Sequence, residues 1–257
     1  MLIIFCIFAV YCIKYYKMKK LQFLLLGLIA IVMVSCNDTS GKYVTKQLTY
    51  TQMENAFNDC LELATETAVE CLCPENELGY VLGYGFYDYE SQAYRITLPT
   101  SARAIVDSLT AHGQGNLIDT LVLHINRAAE ASGSAIGSAF SSARSSLTYT
   151  NHQTMVSTSN TSALTEYFKT QCATQIHQSL MTPVRMKLNE KGVPEEWDNI
   201  LSVYYTYNPQ PVSIDIYSYI VDEMLDGIFT EMGYAEESIR TDPTWQITEN
   251  LELVFGN

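Results

Sequence analysis

The chain has 257 residues, of which 47% are hydrophobic and 17% charged, with 28 acidic against 15 basic side chains. This composition is typical of a folded globular protein with an acidic bias and differs from that of a disordered chain. Because the surplus negative charge repels phosphate backbones, nucleic acid is excluded as an expected partner.

The first 35 residues carry four lysines and no acidic side chain, which marks them as a separate signal region. Within it, Met18-Lys19-Lys20 supplies positive charge, residues 21–34 form an apolar run, and the small residue Ser35 directly precedes Cys36. This order is typical of a secretory signal over residues 18–35, whose cleavage leaves Cys36 as the first residue. The alternative is an uncleaved membrane helix, but 14 apolar residues fall short of the roughly 20 that span a bilayer.

The segment around Cys36 resembles a bacterial lipoprotein signal, in which a diacylglycerol is attached to the cysteine thiol. The resemblance implies that the protein is held at a membrane through a lipid anchor on Cys36. Asn37 stands where many inner-membrane lipoproteins have Asp, so we expect the cell envelope and within it the outer membrane, with the leaflet left open. The apolar run upstream, residues 1–17, is interpreted as a start-site artefact, with translation beginning at Met18.

Four further cysteines follow the lipidation site: Cys60, Cys71, Cys73 and Cys172. A chain of this length buries enough surface to fold without disulfide cross-links. The four cysteines therefore predict buried thiols or one disulfide rather than a disulfide framework. Cys71-Leu72-Cys73 lacks the two-residue spacer of common zinc motifs, and no histidine lies near it in sequence. We therefore expect neither a metal nor another cofactor.

Residues 36–50 are polar and without period, which predicts a lipidated tether before a domain over residues 51–257. Apolar residues then recur at helical spacing in about seven segments. The first predicted helix covers Thr51–Leu72, and a loop is expected over Thr148–Thr161. The remaining helices are predicted at residues 100–112, 116–147, 162–191 and 245–255, and in segments beginning at Pro194 and Ser213. This pattern predicts an all-α fold, a single domain resembling a helical bundle.

Residues 75–98 differ from the helical segments because glycines alternate with aromatic residues. The mixture predicts a short extended segment or a hairpin. Aromatic rings exposed on such a segment could form a binding face, whereas the alternative is that the rings pack against the helices. The candidate aromatic patch consists of Tyr84, Phe86, Tyr87, Tyr89 and Tyr94.

Arg127 and Glu130 lie three residues apart among small alanines on the predicted long helix. Because an enclosed arginine needs a carboxylate partner, we expect Arg127 in a buried salt bridge. The candidate partners lie on later segments of the chain: Asp222, Glu223 and Asp226, and also Glu166, Glu237 and Asp242. On the same helix, Gly133 and Gly137 lie four residues apart and predict close approach of a neighbouring backbone. The candidate charged set could line a ligand pocket or form an interhelical ion-pair network, and we favour the network. This set consists of Arg127, Glu130, Glu166, Asp222, Asp226 and Arg240.

Several separated motifs lie in order along the predicted domain. They are Ile96-Thr97-Leu98-Pro99, residues 124–130, Thr165-Glu166-Tyr167-Phe168, residues 219–229, residues 236–240, Asp242-Pro243 and Val254-Phe255-Gly256. Together they resemble the bacterial family catalogued as domain of unknown function 4197, over nearly all of residues 51–257. The resemblance implies an exported protein, commonly a lipoprotein, with no established activity.

The sequence contains no Gly-x-Ser-x-Gly elbow, no glycine-rich phosphate loop and no histidine pair at metal-binding spacing. No catalytic residue is therefore assigned, and an enzyme is the less favoured interpretation. We expect an envelope lipoprotein that acts as a binding or assembly module for an envelope protein or a small ligand. The alternatives are a hydrolase-like enzyme with an arginine–carboxylate pocket and a purely structural lipoprotein.

Overall fold

The computed structural model describes residues 48–74, 83–87 and 92–256. The signal region, Cys36, most of the tether and Tyr89 lie outside the described residues. The described ranges contain nine α-helices, two turns of 3₁₀ helix and no β-strand, which confirms the all-α expectation. Within these ranges, no helix has both the length and the apolar character needed to cross a membrane.

The described ranges contain nine helices where the sequence predicted about seven, and most of the predicted helices lie where they were expected. In chain order they are α1 (Tyr50–Leu72), α2 (Arg103–Ala111), α3 (Gly115–Glu130), α4 (Gly133–Ser145), α5 (His152–Ser157), α6 (Ala163–Glu190), α7 (Val193–Tyr207), α8 (Ile216–Thr241) and α9 (Glu249–Phe255). Single 3₁₀ turns, Thr100–Ala102 and Pro243–Trp245, precede α2 and α9.

The first helix begins where its sequence provides a capping box. The Thr49 hydroxyl accepts a hydrogen bond from the Gln52 N–H at 3.2 Å, and Gln52 Oε1 accepts from the Thr49 N–H at 3.0 Å. These two bonds satisfy backbone donors that the helix itself leaves unpaired. The prediction of Thr51–Leu72 was therefore correct to within one residue.

Four helices form the core in a closed ring of contacts, in the order α1, α8, α6 and α4. Three rings from this set meet in the interior, with Phe140 of α4 lying 5.8 Å from Phe168 of α6 and 5.2 Å from Phe229 of α8, measured between ring centroids. Burying one such side chain stabilises the fold by about 1.5–3 kcal/mol. Helices α2, α3 and α7 pack together beside α6, and α9 packs on α1.

The predicted long helix over residues 116–147 is two helices, α3 and α4, separated at Ala131-Ser132. The Ser132 hydroxyl donates to the Ala128 carbonyl at 2.8 Å, and a Cβ on Gly133 would lie 2.8 Å from Cys73 Cβ. A serine beside a glycine is a common site of helix kinks. Gly133 thus makes the close approach predicted for it, while a Cβ on Gly137 would meet nothing within 4 Å.

Two other local predictions were wrong. The expected loop over Thr148–Thr161 contains α5, which starts after Asn151 in a left-handed conformation and packs against α1. The expected helix over residues 245–255 is only α9, because Asp242 accepts from the Thr244 N–H at 2.8 Å and begins a single 3₁₀ turn instead. The Thr248 side chain then caps α9 by accepting from the Leu251 N–H.

Candidate functional site

The aromatic segment at Gly83–Tyr87 folds against the C-terminal end of α1. The Gly85 N–H donates to the Cys71 carbonyl at 3.0 Å, and a Cβ on Gly83 would lie only 2.2 Å from that same oxygen. Gly85 adopts φ +75°, a left-handed conformation that favours glycine. The glycines therefore serve this close backbone approach, and the described part of the segment, residues 83–87 and 92–98, contains no β-strand.

Tyr84 and Tyr94 stack with their ring centroids 5.8 Å apart. The Tyr94 hydroxyl donates a short hydrogen bond to Glu231 Oε1, and Glu231 is buried on α8. Burial and the neighbouring Glu231 carboxylate raise the pKa of both tyrosines. Their hydroxyls are therefore neutral donors directed at an internal carboxylate.

Phe86 and Tyr87 complete the described part of the aromatic patch. Phe86 is fully buried, and its ring would lie 3.1 Å from a Cβ on Gly227. The Tyr87 ring lies 4.2 Å from the Arg95 guanidinium and 5.6 Å from that of Arg127. Four of the five predicted patch residues thus pack into the domain wholly or in part, and Tyr89 lies outside the described residues.

Arg127 and Glu130 form an ion pair, with Arg127 Nη1 2.6 Å from Glu130 Oε2. The other carboxylate oxygen of Glu130 accepts from the Tyr87 N–H at 2.9 Å. The expectation of a buried Arg127 was wrong: its side chain is 47% exposed, and Glu130 is the buried partner. The reason is that α3 ends at Glu130, so its carboxylate turns inward to the aromatic segment while the arginine reaches it from the surface.

A third buried carboxylate, Glu236 on α8, holds the start of α6. It accepts from the Leu164 N–H at 2.9 Å and from the Thr165 N–H at 2.7 Å. Arg240 donates to Glu236 Oε1 through Nε at 2.9 Å, and its guanidinium lies 4.8 Å from the Phe255 ring. Glu236 therefore caps a helix that has no side-chain cap of its own, since Ser162 at the N-cap makes no such bond.

The remaining candidate charged residues lie in separate pairs. Lys169 Nζ contacts Asp226 at 2.7 Å, and His177 Nε2 lies 3.4 Å from Asp222. Glu166 accepts from the Ser162 hydroxyl at 3.0 Å and from the Asn160 amide at 2.9 Å. The structure thus brings Arg127 to Glu130 but does not join the six candidates in one network.

Three of the buried polar residues, Asn126, Glu231 and Glu236, were not predicted from the sequence to have a role. Asn126 accepts from the Ile96 N–H at 2.9 Å and donates to the Ile96 carbonyl at 2.8 Å, which fixes the chain before α2. The signal available for Glu236 was its position on the apolar face of α8, where a carboxylate requires partners.

The described cysteines are free thiols and are buried. Burial raises the pKa of the Cys73 thiol to about 12 and also raises that of Cys60 and Cys172. Such thiols are poor nucleophiles and poor metal ligands at neutral pH. In the part of the chain that the structure describes, no group of three or more His, Cys, Asp or Glu side chains could hold a metal ion.

A cavity with a volume of about 310 Å³ lies between the start of α6 and the second half of α8. Buried Phe229 and Tyr234, which is 53% exposed, provide aromatic surface, and Gly233 lies between them in sequence. We call this cavity the α6–α8 groove. It is also lined by hydroxyls and charged groups, among them Thr165, Glu166, Lys169 and Glu237.

Comparison with known proteins gives one match. A family model described as "Protein of unknown function (DUF4197)" matches residues 47–256. No curated protein and no solved structure matches the chain. Because the match spans all the described helices, including both elements of the α6–α8 groove, the chain belongs to the DUF4197 family.

Proposed function

We propose that the protein is a lipid-anchored envelope protein whose helical domain is a non-enzymatic binding module, with its ligand site in the α6–α8 groove. The observation that carries the proposal is the groove itself, an open cavity of about 310 Å³. This volume lies at the lower end of the range for small-ligand sites, roughly 300–1,000 Å³. Its lining is more polar than that of most such sites, because seven hydroxyl, carboxylate or amine side chains accompany two aromatic residues, and it therefore suits a polar or charged ligand.

The structure gives less support to a hydrolase-like activity based on arginine–carboxylate pairs. A general acid or base must reach a proton of the substrate. Glu130 and Glu236 are buried, and their oxygens already accept hydrogen bonds from backbone N–H groups and from the adjacent arginines. These carboxylates therefore hold loops and helix ends in place rather than facing a substrate.

A native mass spectrum of the full chain, purified from the producing organism's envelope, tests the binding proposal against a purely structural role. We expect a copurifying mass in the wild type that is lost in Tyr234→Ala. Met186→Ala is the matched control, since Met186 is 58% exposed, lies on α6 and does not line the groove. A bare wild-type mass, or a mass that survives Tyr234→Ala, would contradict a binding role for the groove.

The lipid anchor requires a separate test. Intact-mass analysis of the wild type should find acyl chains on Cys36, and Cys36→Ser should lose both the acyl mass and stable attachment to the membrane. Density-gradient separation of the two membranes then tests the proposed outer-membrane location. A wild-type chain that keeps residues 18–35 and carries no acyl group would refute the anchor without affecting the groove.

A further inference from the structure

The α6–α8 groove has two carboxylates whose charge is not neutralised. Glu166 and Glu237 line it, and among the described residues neither forms an ion pair. The donors to Glu166 are the neutral side chains of Ser162 and Asn160. Lys169 also lines the groove, but Asp226 neutralises it at 2.7 Å. The groove therefore presents net negative charge to a ligand.

The aromatic residues of the groove suit a positive charge. Lys169 Nζ already lies 5.5 Å from the centroid of the Phe229 ring, so this part of the groove places a cation over an aromatic face. Tyr234 lines the same groove and, at 53% exposure, leaves much of its ring available. An aliphatic stem that carries a cation could pack against the exposed part of the Tyr234 ring.

Two further features of the groove point to an occupant. Thr165 lines it and is 97% buried, yet its hydroxyl has no hydrogen-bond partner among the described residues. A Cβ on Gly233 would make only an ordinary contact, 3.5 Å from Ser162 Cβ. Packing therefore does not require glycine here, although glycine weakens a helix interior, and the missing side chain leaves space in the groove.

We propose that the groove binds a primary amine or guanidinium on an aliphatic stem. The cation pairs with Glu166 or Glu237, and the stem packs on Tyr234. This inference rests on the proposed binding function and names its ligand class. The same chemistry has two sources, a lysine or arginine side chain of an envelope protein and a free diamine or polyamine.

Titration of the full chain in mild detergent with four probes tests the proposal. The probes are 1,5-diaminopentane, an acetylated and amidated Gly-Lys-Gly peptide, the same peptide with an acetylated lysine, and glutarate. We expect both amines to bind at least roughly tenfold more tightly than the neutral peptide and glutarate, with affinity falling as salt is added. Tighter binding of the lysine peptide assigns the ligand to a protein, and tighter binding of the diamine assigns it to a free polyamine.

Variants locate the binding and separate the two proposals. Glu237→Gln and Tyr234→Ala alter exposed side chains and should each weaken amine binding several-fold, whereas Asp198→Asn removes an exposed charge on α7 and should leave it unchanged. If a neutral or anionic probe binds as tightly as the amines and is lost in Tyr234→Ala, the cationic class is refuted while the groove remains a ligand site. If no probe binds, the cationic inference fails, and the native mass spectrum then decides the proposed function independently.

Discussion

Replacing Glu236 by Gln perturbs a buried carboxylate that accepts three hydrogen bonds, at constant side-chain size. The carboxylate accepts from two backbone N–H groups at the start of α6 and from Arg240 on its own helix. Glutamine keeps one acceptor oxygen but replaces the other by an N–H₂ group, which would then face a backbone N–H group or the Arg240 guanidinium. It also removes the only charge paired with Arg240 among the described residues, and the Arg240 side chain is 8% exposed.

The cost follows from this burial. Breaking a buried ion pair by removing one partner destabilises a protein by about 3–5 kcal/mol, because the other charge is left uncompensated. The lost backbone hydrogen bond, about 1.5–3 kcal/mol for a bond to a charged group, is already part of that figure. We therefore expect the free energy of unfolding to fall by about 4 kcal/mol, a large part of a typical total of 5–15 kcal/mol. At roughly 2–4 °C per kcal/mol for a domain of this size, Tm should fall by about 8–16 °C.

Urea unfolding followed by circular dichroism measures this change directly. Glu237→Gln on the next position is exposed and should shift the free energy of unfolding by less than about 0.5 kcal/mol. The double variant Glu236→Gln, Arg240→Met removes both charges and should recover part of the loss, since an apolar side chain replaces an unpaired cation. A Glu236→Gln variant within about 1 kcal/mol of the wild type, or no recovery in the double variant, would refute this role for Glu236.

Three further outcomes are expected. Gly85→Ala should lower the free energy of unfolding by about 3 kcal/mol, because at φ +75° the new Cβ would lie 2.4 Å from Glu130 Oε1. The control Gly113→Ala has a similar φ of +71° but open space around the Cβ, so it should lower the free energy of unfolding by only about 1 kcal/mol in the same urea assay. Burial and the nearby carboxylates of Asp226 and Asp222 raise the pKa of Glu223, so the folded state binds its proton more tightly and stability falls as pH rises above about 4.5. Glu223→Gln should therefore raise Tm at pH 7 and lose that advantage below pH ~4; an equal gain at both pH values would contradict the sign. The four described cysteines should resist a thiol reagent in the native protein and react only after denaturation, because they are buried.

The helices were predictable where one amphipathic face dominates. For α1, apolar residues recur along one side and Thr49 supplies a capping box, so local sequence and tertiary packing favour the same boundaries. The break between α3 and α4 was harder, because Ala, Ser and Gly are compatible with a continuous helix. The break lies where Gly133 packs closely against Cys73, and this contact joins residues 60 positions apart in sequence.

The charged residues show the limit of prediction more clearly. Sequence spacing placed Arg127 and Glu130 on the same side of one helix, but the partner of Arg127 was expected on another segment, whereas the structure pairs it with Glu130. It could not find that Glu236 binds the N–H groups of Leu164 and Thr165, since these residues lie on another helix some 70 positions earlier. Nor could it find the groove, which exists only because the start of α6 lies beside the second half of α8.

The buried and exposed acids of the domain thus have different tasks. Glu130, Glu231 and Glu236 are buried, and each accepts hydrogen bonds from a backbone N–H or a tyrosine hydroxyl, so they fix the aromatic segment and the start of α6. Because these three carboxylates are buried, a ligand cannot reach them in the folded domain. Glu166 and Glu237 form no ion pair in the described ranges and face open space beside Tyr234. The search for an activity should therefore start at the α6–α8 groove rather than at the arginine pairs.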